Sequence, residues 1–490
     1  MTALSITITH RRAAILIASL ITLLGLGLRC HRLANQSFWI DEVYSITAAR
    51  TPLDHIMAIS AMPNNSLPTY FLLLRSFIGD SNENTEIRAR LLSVIAGALT
   101  IPLFIALVFQ WRRRLDIALA AGLLLAVNPL HIWYSQEARA YAVMLLFGVA
   151  ALLCFEFALA PPPRRRLGWW LGYILSAAFA IALHKTAIIF PATCLLWHAW
   201  RLRDRPPAMR ALLIHLAILI AGVTILSAKS IVLPAESLRP HSILELLYTA
   251  ITYLGGYSFG PSLIEIQTYG PIAAVARSQA QLAILAIVLL LVALPLLRSW
   301  RSLLSSRAAA LLLLDILMVT AYTLKSNYPF NVRYTLPGLL GFLALAAELL
   351  PLMARSWLPR AALPAMIALS LWADFQWYYS PRYRKEDARA AALWIIAHRD
   401  HVASWTMIPY YSAAAIQYYL YAMSHAELNP RLLPPPTDAS ISFPPTPDIL
   451  ILGRRDRIAN PPAVIAAYRS ATHNDTPPIS YPGIDIFPRL

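Results

Sequence analysis

The sequence predicts an all-α polytopic membrane protein that ends in a small α/β domain. Three observations carry this reading. The 490 residues are 58% hydrophobic and 13% charged, whereas a soluble domain is about one quarter charged. Apolar runs of about 16 to 24 residues recur from residue 13 to residue 378, the length a helix needs to cross roughly 30 Å of hydrocarbon. Beyond residue 380 the long runs stop, and short helix and strand patterns alternate.

Taken in order, the predicted spans are about 11–29, 87–110, 117–133, 140–160, 168–183, 186–200, 210–227, 281–297, 307–323, 334–353 and 360–378. The pair within 168–200 is short, and "LPTYFLLLRSFIGD" (67–80) is a further short or tilted candidate. Arg clusters sit in short connections: "HRR" (10–12), "RRR" (112–114), "RRR" (164–166), "RLRDR" (201–205), "RSWRSLLSSR" (298–307) and "RSWLPR" (355–360). Placing all six in the cytoplasm lets the eleven spans alternate without conflict, with the N-terminus inside and the C-terminus outside. The formal charge of +16 is then a topology signal and an attraction to anionic lipid, not a nucleic-acid signal. The first span follows only "HRR" and has no small-residue cleavage site after it, so it reads as a retained anchor. Cys30, Cys154 and Cys194 lie in or at the ends of apolar spans and no CxxC occurs. They predict neither a disulfide framework nor a zinc cluster.

Three segments on the outer side are long: the first loop (about 30–86), a second loop (about 228–280) and the tail from Ser380. This divides the chain into a membrane domain, 1–379, and an extracytoplasmic α/β domain, 380–490. In the tail, 384–400 reads as an amphipathic helix, "HVASWTMI" (401–408) as a strand and "SAAAIQYYLYAM" as a helix. "PDILILGRR" (447–455) reads as a buried strand, "PPAVIAAYRS" as a helix and "YPGIDIF" as a last strand. Neither GxGxxG nor a P-loop is present, so no nucleotide site is assigned. The two halves of the membrane part do not resemble each other, which argues against an inverted-repeat transporter.

The chemistry-bearing candidates gather at the outer ends of spans. Asp41 and Glu42 follow the first span in "SFWIDEVYSI" (37–46). Charge beside hydrocarbon is costly and needs a task or a partner, and Asp is also a good cap for a helix starting near Val43. In "NPLHIWYSQEARAYAVMLL" (128–146), Asn128-Pro129 ends a span and Tyr134, Gln136, Glu137 and Arg139 fill a short polar turn. Residues two apart on a helix do not face each other, so Glu137 and Arg139 look to other elements. "LHKTAIIF" (183–190) places His184 and Lys185 at another outer end, and "KSNYPFNVRYTLP" (325–337) places Arg333 there too. Each cation alone fits a snorkelling role; Arg139, Lys185 and Arg333 together fit a phosphate head group. Asp315, mid-span in "LLLLDILMV", is expected to pair with a neighbouring helix.

"SFWIDEVYS", "RLLSVIAGALTIPLF" (90–104), "HIWYSQEARAYAV" (131–143) and "NVRYTLP" (331–337) resemble the bacterial polytopic glycosyltransferases of the GT-C fold. The branch they resemble is the family-39 group of protein mannosyltransferases and lipid A aminoarabinose transferases. The resemblance covers about 30–340 and continues through "YYSPRYRKEDARAAALWIIAHRD" (378–400). It departs at "NNSLPTYFLLL" (64–74), where relatives carry a "HPPLYY"-like stretch, and at His184-Lys185, where relatives often show His followed by an aromatic.

The resemblance implies a GT-C fold with long first-loop helices along the membrane, a polyprenyl-phosphate monosaccharide donor used on the outer face, and an acidic catalytic base in the first loop. The residues agree with that chemistry. An acceptor hydroxyl attacking the anomeric carbon needs a base, and a phosphate leaves without an acid. Asp41 is the expected base, with inversion at the sugar, and Glu42 is expected to hold the loop or the acceptor. The expected substrate contacts are Tyr134, Gln136, Glu137, Arg139, His184, Lys185, Arg333 and Tyr334, and Arg139 has Asp41 or Glu42 as an alternative partner. A divalent cation at Asp41/Glu42 is the one cofactor left open, and the absence of a DxD leans against it. The expected partners are the lipid-linked donor, the bilayer and an acceptor that is a protein, a lipid or an envelope polysaccharide. The Ala-, Arg- and Pro-rich composition suggests a bacterial inner membrane with a periplasmic C-terminal domain. Rival readings are a flippase of polyprenyl-linked sugars, an O-antigen ligase or polymerase, and a non-catalytic scaffold.

Overall fold

The computed structural model describes residues 2–61, 68–160, 166–202, 215, 217–218, 243–298, 306–326, 330–354, 357–433, 447–458 and 460–489. The first eight helices are α1 (Thr2–Cys30), α2 (Ile40–Arg50), α3 (Leu53–Ala61), α4 (Thr69–Ile78), α5 (Thr85–Arg112), α6 (Leu115–Ala126), α7 (Pro129–Ser135) and α8 (Tyr141–Leu159). The bundle continues through Arg166–Leu183, Ile189–Leu202, Gln279–Arg298, Arg307–Ser326, Leu336–Ala347 and Trp357–Tyr379. Among the described residues six stretches are long and apolar enough to cross a membrane, or seven if α6 and α7, bent by 58°, form one span. The chain is a multi-pass membrane protein. Ten of the eleven expected spans coincide with helices, several of them shorter than a full crossing. The expected span at 210–227 lies almost wholly outside the described residues.

Among the described residues the first loop folds into three short helices, α2 to α4, rather than long ones. Pro52 follows Thr51, and a residue before proline is pushed out of the helical region; Thr51 is extended (φ −71°, ψ 159°) and ends α2. The "LPTYFLLLRSFIGD" stretch forms the ten-residue α4, which packs on α2 and α5 and is too short to span. Asn128-Pro129 breaks the third span as expected. Pro129 opens α7, and the Asn128 side chain accepts from the His131 amide at 3.0 Å.

Asp315 does reach a neighbouring helix. It is fully buried, and its Oδ2 accepts from the Gly338 amide at 2.6 Å in the first turn of Leu336–Ala347. One helix thus lends a side-chain oxygen to an orphan amide at the N-terminus of the next. Asp315→Ala is expected to lower stability by about 1–2 kcal/mol, read as an earlier thermal transition in detergent.

The C-terminal unit holds a four-stranded sheet: β1 (Trp405–Ile408), β2 (Ile449–Gly453), β3 (Ile479–Tyr481) and β4 (Ile484–Pro488), in the order β1-β2-β4-β3. β1 and β2 are parallel and the other pairs antiparallel. The expected last strand, "YPGIDIF", is instead the turn and second arm of a hairpin. Pro482 and Gly483 are the turn, and Gly483 takes φ +67°, which only a glycine adopts without strain. Trp405, Ile449 and Ile451 join the apolar core of the bundle, while Leu450, Leu452, Val464, Tyr468 and Phe487 form a separate cluster.

Candidate active site

α2 starts at Ile40, with Trp39 as its extended N-cap and no side-chain cap. Asp41 is therefore already inside the helix and caps nothing; its side chain turns to two arginines. Oδ2 accepts from Arg333 Nη1 at 2.9 Å, and Arg139 Nη2 lies 3.7 Å away. Arg139 also donates to the Asp41 carbonyl at 3.4 Å and to Ser45 Oγ at 3.3 Å. Tyr141 lies beneath both guanidiniums, 5.9 Å from each, and Tyr334 lies 5.3 Å from that of Arg333. Asp41 keeps 29% of its side chain accessible, so this triad is half-open.

Glu42 points elsewhere, as the roughly 100° between helix neighbours requires. It is fully buried. Oε1 accepts from Arg90 Nε at 2.8 Å and from the Ala138 amide at 3.0 Å. Oε2 accepts from Arg90 Nη2 at 3.0 Å and Lys385 Nζ at 3.4 Å. Burial would raise its pKa, but Arg90 and Lys385 outweigh burial and hold it at about 2. Arg90 also donates to the carbonyls of Leu33, Gln36 and Ser37, which fixes the entrance to α2.

The residues of the "SQEAR" turn look to different parts of the chain. Gln136 Nε2 donates to the carbonyls of Arg29 and His31 at 2.8 and 2.9 Å, and its Oε1 accepts from Trp377 Nε1 at 2.7 Å. Glu137 Oε1 accepts from Lys385 Nζ at 3.3 Å, and its Oε2 is buried with no partner among the described residues. Burial raises the Glu137 pKa, opposed by Lys385 and reinforced by Glu42. Ala138 serves Glu42, and Arg139 serves Asp41. Tyr134 is buried and shares a hydrogen bond with Tyr257 at 2.9 Å. Tyr134, Gln136 and Glu137, expected to touch substrate, are turned into the protein and brace the turn.

His184 joins the triad's rim. Its ring packs on Tyr141 and Tyr334, with centroids 4.9 and 5.9 Å away. Burial, then Lys185, Arg139 and Arg333, push its pKa well below the usual imidazole range. Lys185 donates to Tyr322 Oη at 3.1 Å and does not reach Asp41. Of the three expected phosphate cations the structure brings Arg139 and Arg333 together.

Two residues were not singled out from the sequence. Arg90 opens "RLLSVIAGALTIPLF", a cation directly before an apolar run, and Lys385 lies in "RYRKEDARAA" beside the acid pair Glu386-Asp387; those are the local signals they carried. Among the described residues no three His, Cys, Asp or Glu side chains gather as metal ligands. Both Glu42 oxygens and Asp41 Oδ2 accept from cationic side chains.

This architecture is similar in fold to solved membrane oligosaccharyltransferases. A family model, dolichyl-phosphate-mannose-protein mannosyltransferase, matches residues 73–236, about a third of the chain. The apo oligosaccharyltransferase of Archaeoglobus fulgidus superposes with a TM-score of 0.51 at 12% identity, over 88% of this chain and 65% of that one. The oligosaccharyltransferase AglB of Archaeoglobus fulgidus, in complex with an inhibitory peptide and a dolichol-phosphate, gives 0.51 at 11% over 91% and 70%. ArnT from Cupriavidus metallidurans bound to undecaprenyl phosphate gives 0.47 at 11% over 98% of both chains. The chain thus spans about two thirds of the length of the archaeal enzymes. No curated protein matches the sequence.

Proposed function

We propose that the protein is an inverting membrane glycosyltransferase that moves a monosaccharide from a polyprenyl-phosphate donor to an acceptor on the extracytoplasmic face. The observation that carries this is the half-open triad of Asp41, Arg333 and Arg139 at one end of the bundle. The matched family model and the dolichol-phosphate in the similar archaeal fold support a lipid-phosphate donor.

In this reading the donor phosphate seats on Arg139 and Arg333, which hold it by charge-assisted hydrogen bonds. The arginines then turn from Asp41 to the phosphate, and Asp41 is released toward the acceptor. The acceptor hydroxyl attacks the anomeric carbon as the bond to the phosphate oxygen breaks. The phosphate keeps the bonding pair and leaves as polyprenyl phosphate, and Asp41 takes the hydroxyl proton. No acid is needed for so stable a leaving group. The acceptor is a lipid, a polysaccharide or a protein. The N-terminus is then cytoplasmic and residues 380–490 periplasmic, in a bacterial inner membrane.

The test is transfer by purified protein in nanodiscs from radiolabelled polyprenyl-phosphate sugars. Release of polyprenyl phosphate with labelled product supports the reading; donor binding without turnover on any acceptor preparation overturns it. Arg333→Ala and Arg139→Ala are each expected to weaken donor binding by about 10- to 100-fold, the worth of one charge-assisted contact. Lys185→Ala is expected to change binding little.

A further inference from the structure

We propose that Lys385 is a positioning residue, a clamp that holds Glu42 and Glu137 together and locks the C-terminal unit onto the loop that carries Asp41. Its catalytic consequence rests on the transferase reading; its structural part does not.

Lys385 lies just beyond the helix Trp357–Tyr379, at the entrance to the C-terminal unit. Its side chain is 6% exposed. The ammonium reaches Glu42 Oε2 at 3.4 Å and Glu137 Oε1 at 3.3 Å, between the indoles of Trp39 and Trp133 at 5.8 and 5.2 Å. Its amide donates to Gln36 Oε1 at 3.1 Å. Four residues on, Arg389 donates to the carbonyls of Ala34 and Asn35 at 3.3 and 3.1 Å.

Charge arithmetic makes Lys385 indispensable here. Glu42 and Glu137 are two buried carboxylates, and Arg90 and Lys385 are the cations that touch them. Of the two carboxylates Arg90 bonds only that of Glu42, so without Lys385 the carboxylate of Glu137 stands buried beside a like charge. The groups whose charge reaches Glu137 are Lys385, Glu42, Arg139 and Asp41. Glu137 sits two residues before Arg139, and Ala138 between them donates to Glu42. A shift of Glu137 therefore carries Arg139 away from Asp41. Lys385 makes no bond to the triad itself and acts through this turn.

Lys385→Met keeps most of the stem and removes the charge. The experiment compares wild type, Lys385→Met and Lys385→Met/Glu137→Gln in nanodiscs, by thermal unfolding from pH 5 to pH 8 and by transfer. A buried acid left without its cation has a raised pKa, so its favourable neutral form is lost as pH rises. The expected result is that Lys385→Met melts several degrees lower, increasingly so toward pH 8, and transfers with reduced kcat. The double variant, neutral by construction, regains both at pH 8. A single variant that melts like wild type across the range overturns the clamp, and so does a double variant no better than the single. The melting arm needs no donor. If it behaves as expected while wild type transfers nothing, the clamp stands and the transferase reading fails.

Discussion

Asp41→Asn is expected to lower transfer by about 10²–10⁴-fold, the usual worth of a general base, with fold and yield unchanged. The substitution is nearly isosteric at a half-open position. Arg333 and Arg139 keep an amide oxygen to donate to, so no buried charge is stranded. Asparagine cannot take the acceptor's proton. The split between constants makes the prediction specific. Under the proposed mechanism the carboxylate, which holds both guanidiniums here, competes with the donor phosphate for them. Removing that competitor leaves donor affinity equal or better, so kcat falls while KM for the donor does not rise. A rise in KM at constant kcat would make Asp41 a binding group and end its assignment as base.

Arg90→Met is expected to cost about 3–5 kcal/mol, the penalty for breaking a buried ion pair from one side. Arg90 is 1% exposed and its two bonds to Glu42 are 2.8 and 3.0 Å. It also satisfies three loop carbonyls, so its loss loosens the entrance to α2 together with the charge. The pH signature follows from Glu42, whose pKa is lowered to about 2 in the fold. A depressed carboxylate stabilises the fold above its unfolded pKa of about 4.5 and loses that contribution as pH falls toward 2, about 3 kcal/mol in all. Arg90→Met removes most of that dependence, and the gap to wild type narrows on acidification. Thermal unfolding in detergent at pH 4 and pH 7 reads both effects. A variant that melts with wild type at pH 7 would show that Glu42 does not depend on Arg90.

The sequence made visible what depends on local pattern. Long apolar runs, Arg clusters and the Asn128-Pro129 break are each written within about 25 residues, and the bundle follows from them. Asp41, Arg139 and Arg333 stood out because charge at the end of an apolar run is conspicuous. What stayed hidden is pairing over distance. Glu42 meets Arg90 across 48 residues and Lys385 across 343, and no periodicity encodes such a meeting. Gln136 and Tyr134 are expected substrate contacts because they are polar and dense in a short turn. In three dimensions the same density braces that turn against α1, Trp377 and Tyr257. Lys185 has the position of a phosphate ligand along the chain, but its rotamer takes it to Tyr322. The β3–β4 hairpin was missed because three residues are too few for an alternating pattern to register.

The short α6 makes its own end depend on a side chain from another helix. Twelve residues at about 1.5 Å each give roughly 18 Å of helix, well short of about 30 Å of hydrocarbon. Its last residues, Leu125 and Ala126, are fully buried, and an unsatisfied backbone group there costs several kcal/mol. Arg29 of α1 stands in for the missing water, donating to the carbonyls of Leu125 at 3.2 Å and Ala126 at 3.0 Å. Only Arg113 and Arg114 separate α5 from α6, with Arg113 in the left-handed conformation, so the two helices form a tight hairpin. The guanidinium of α1 thus supplies, at the far end of that hairpin, hydrogen bonds that the apolar surroundings withhold.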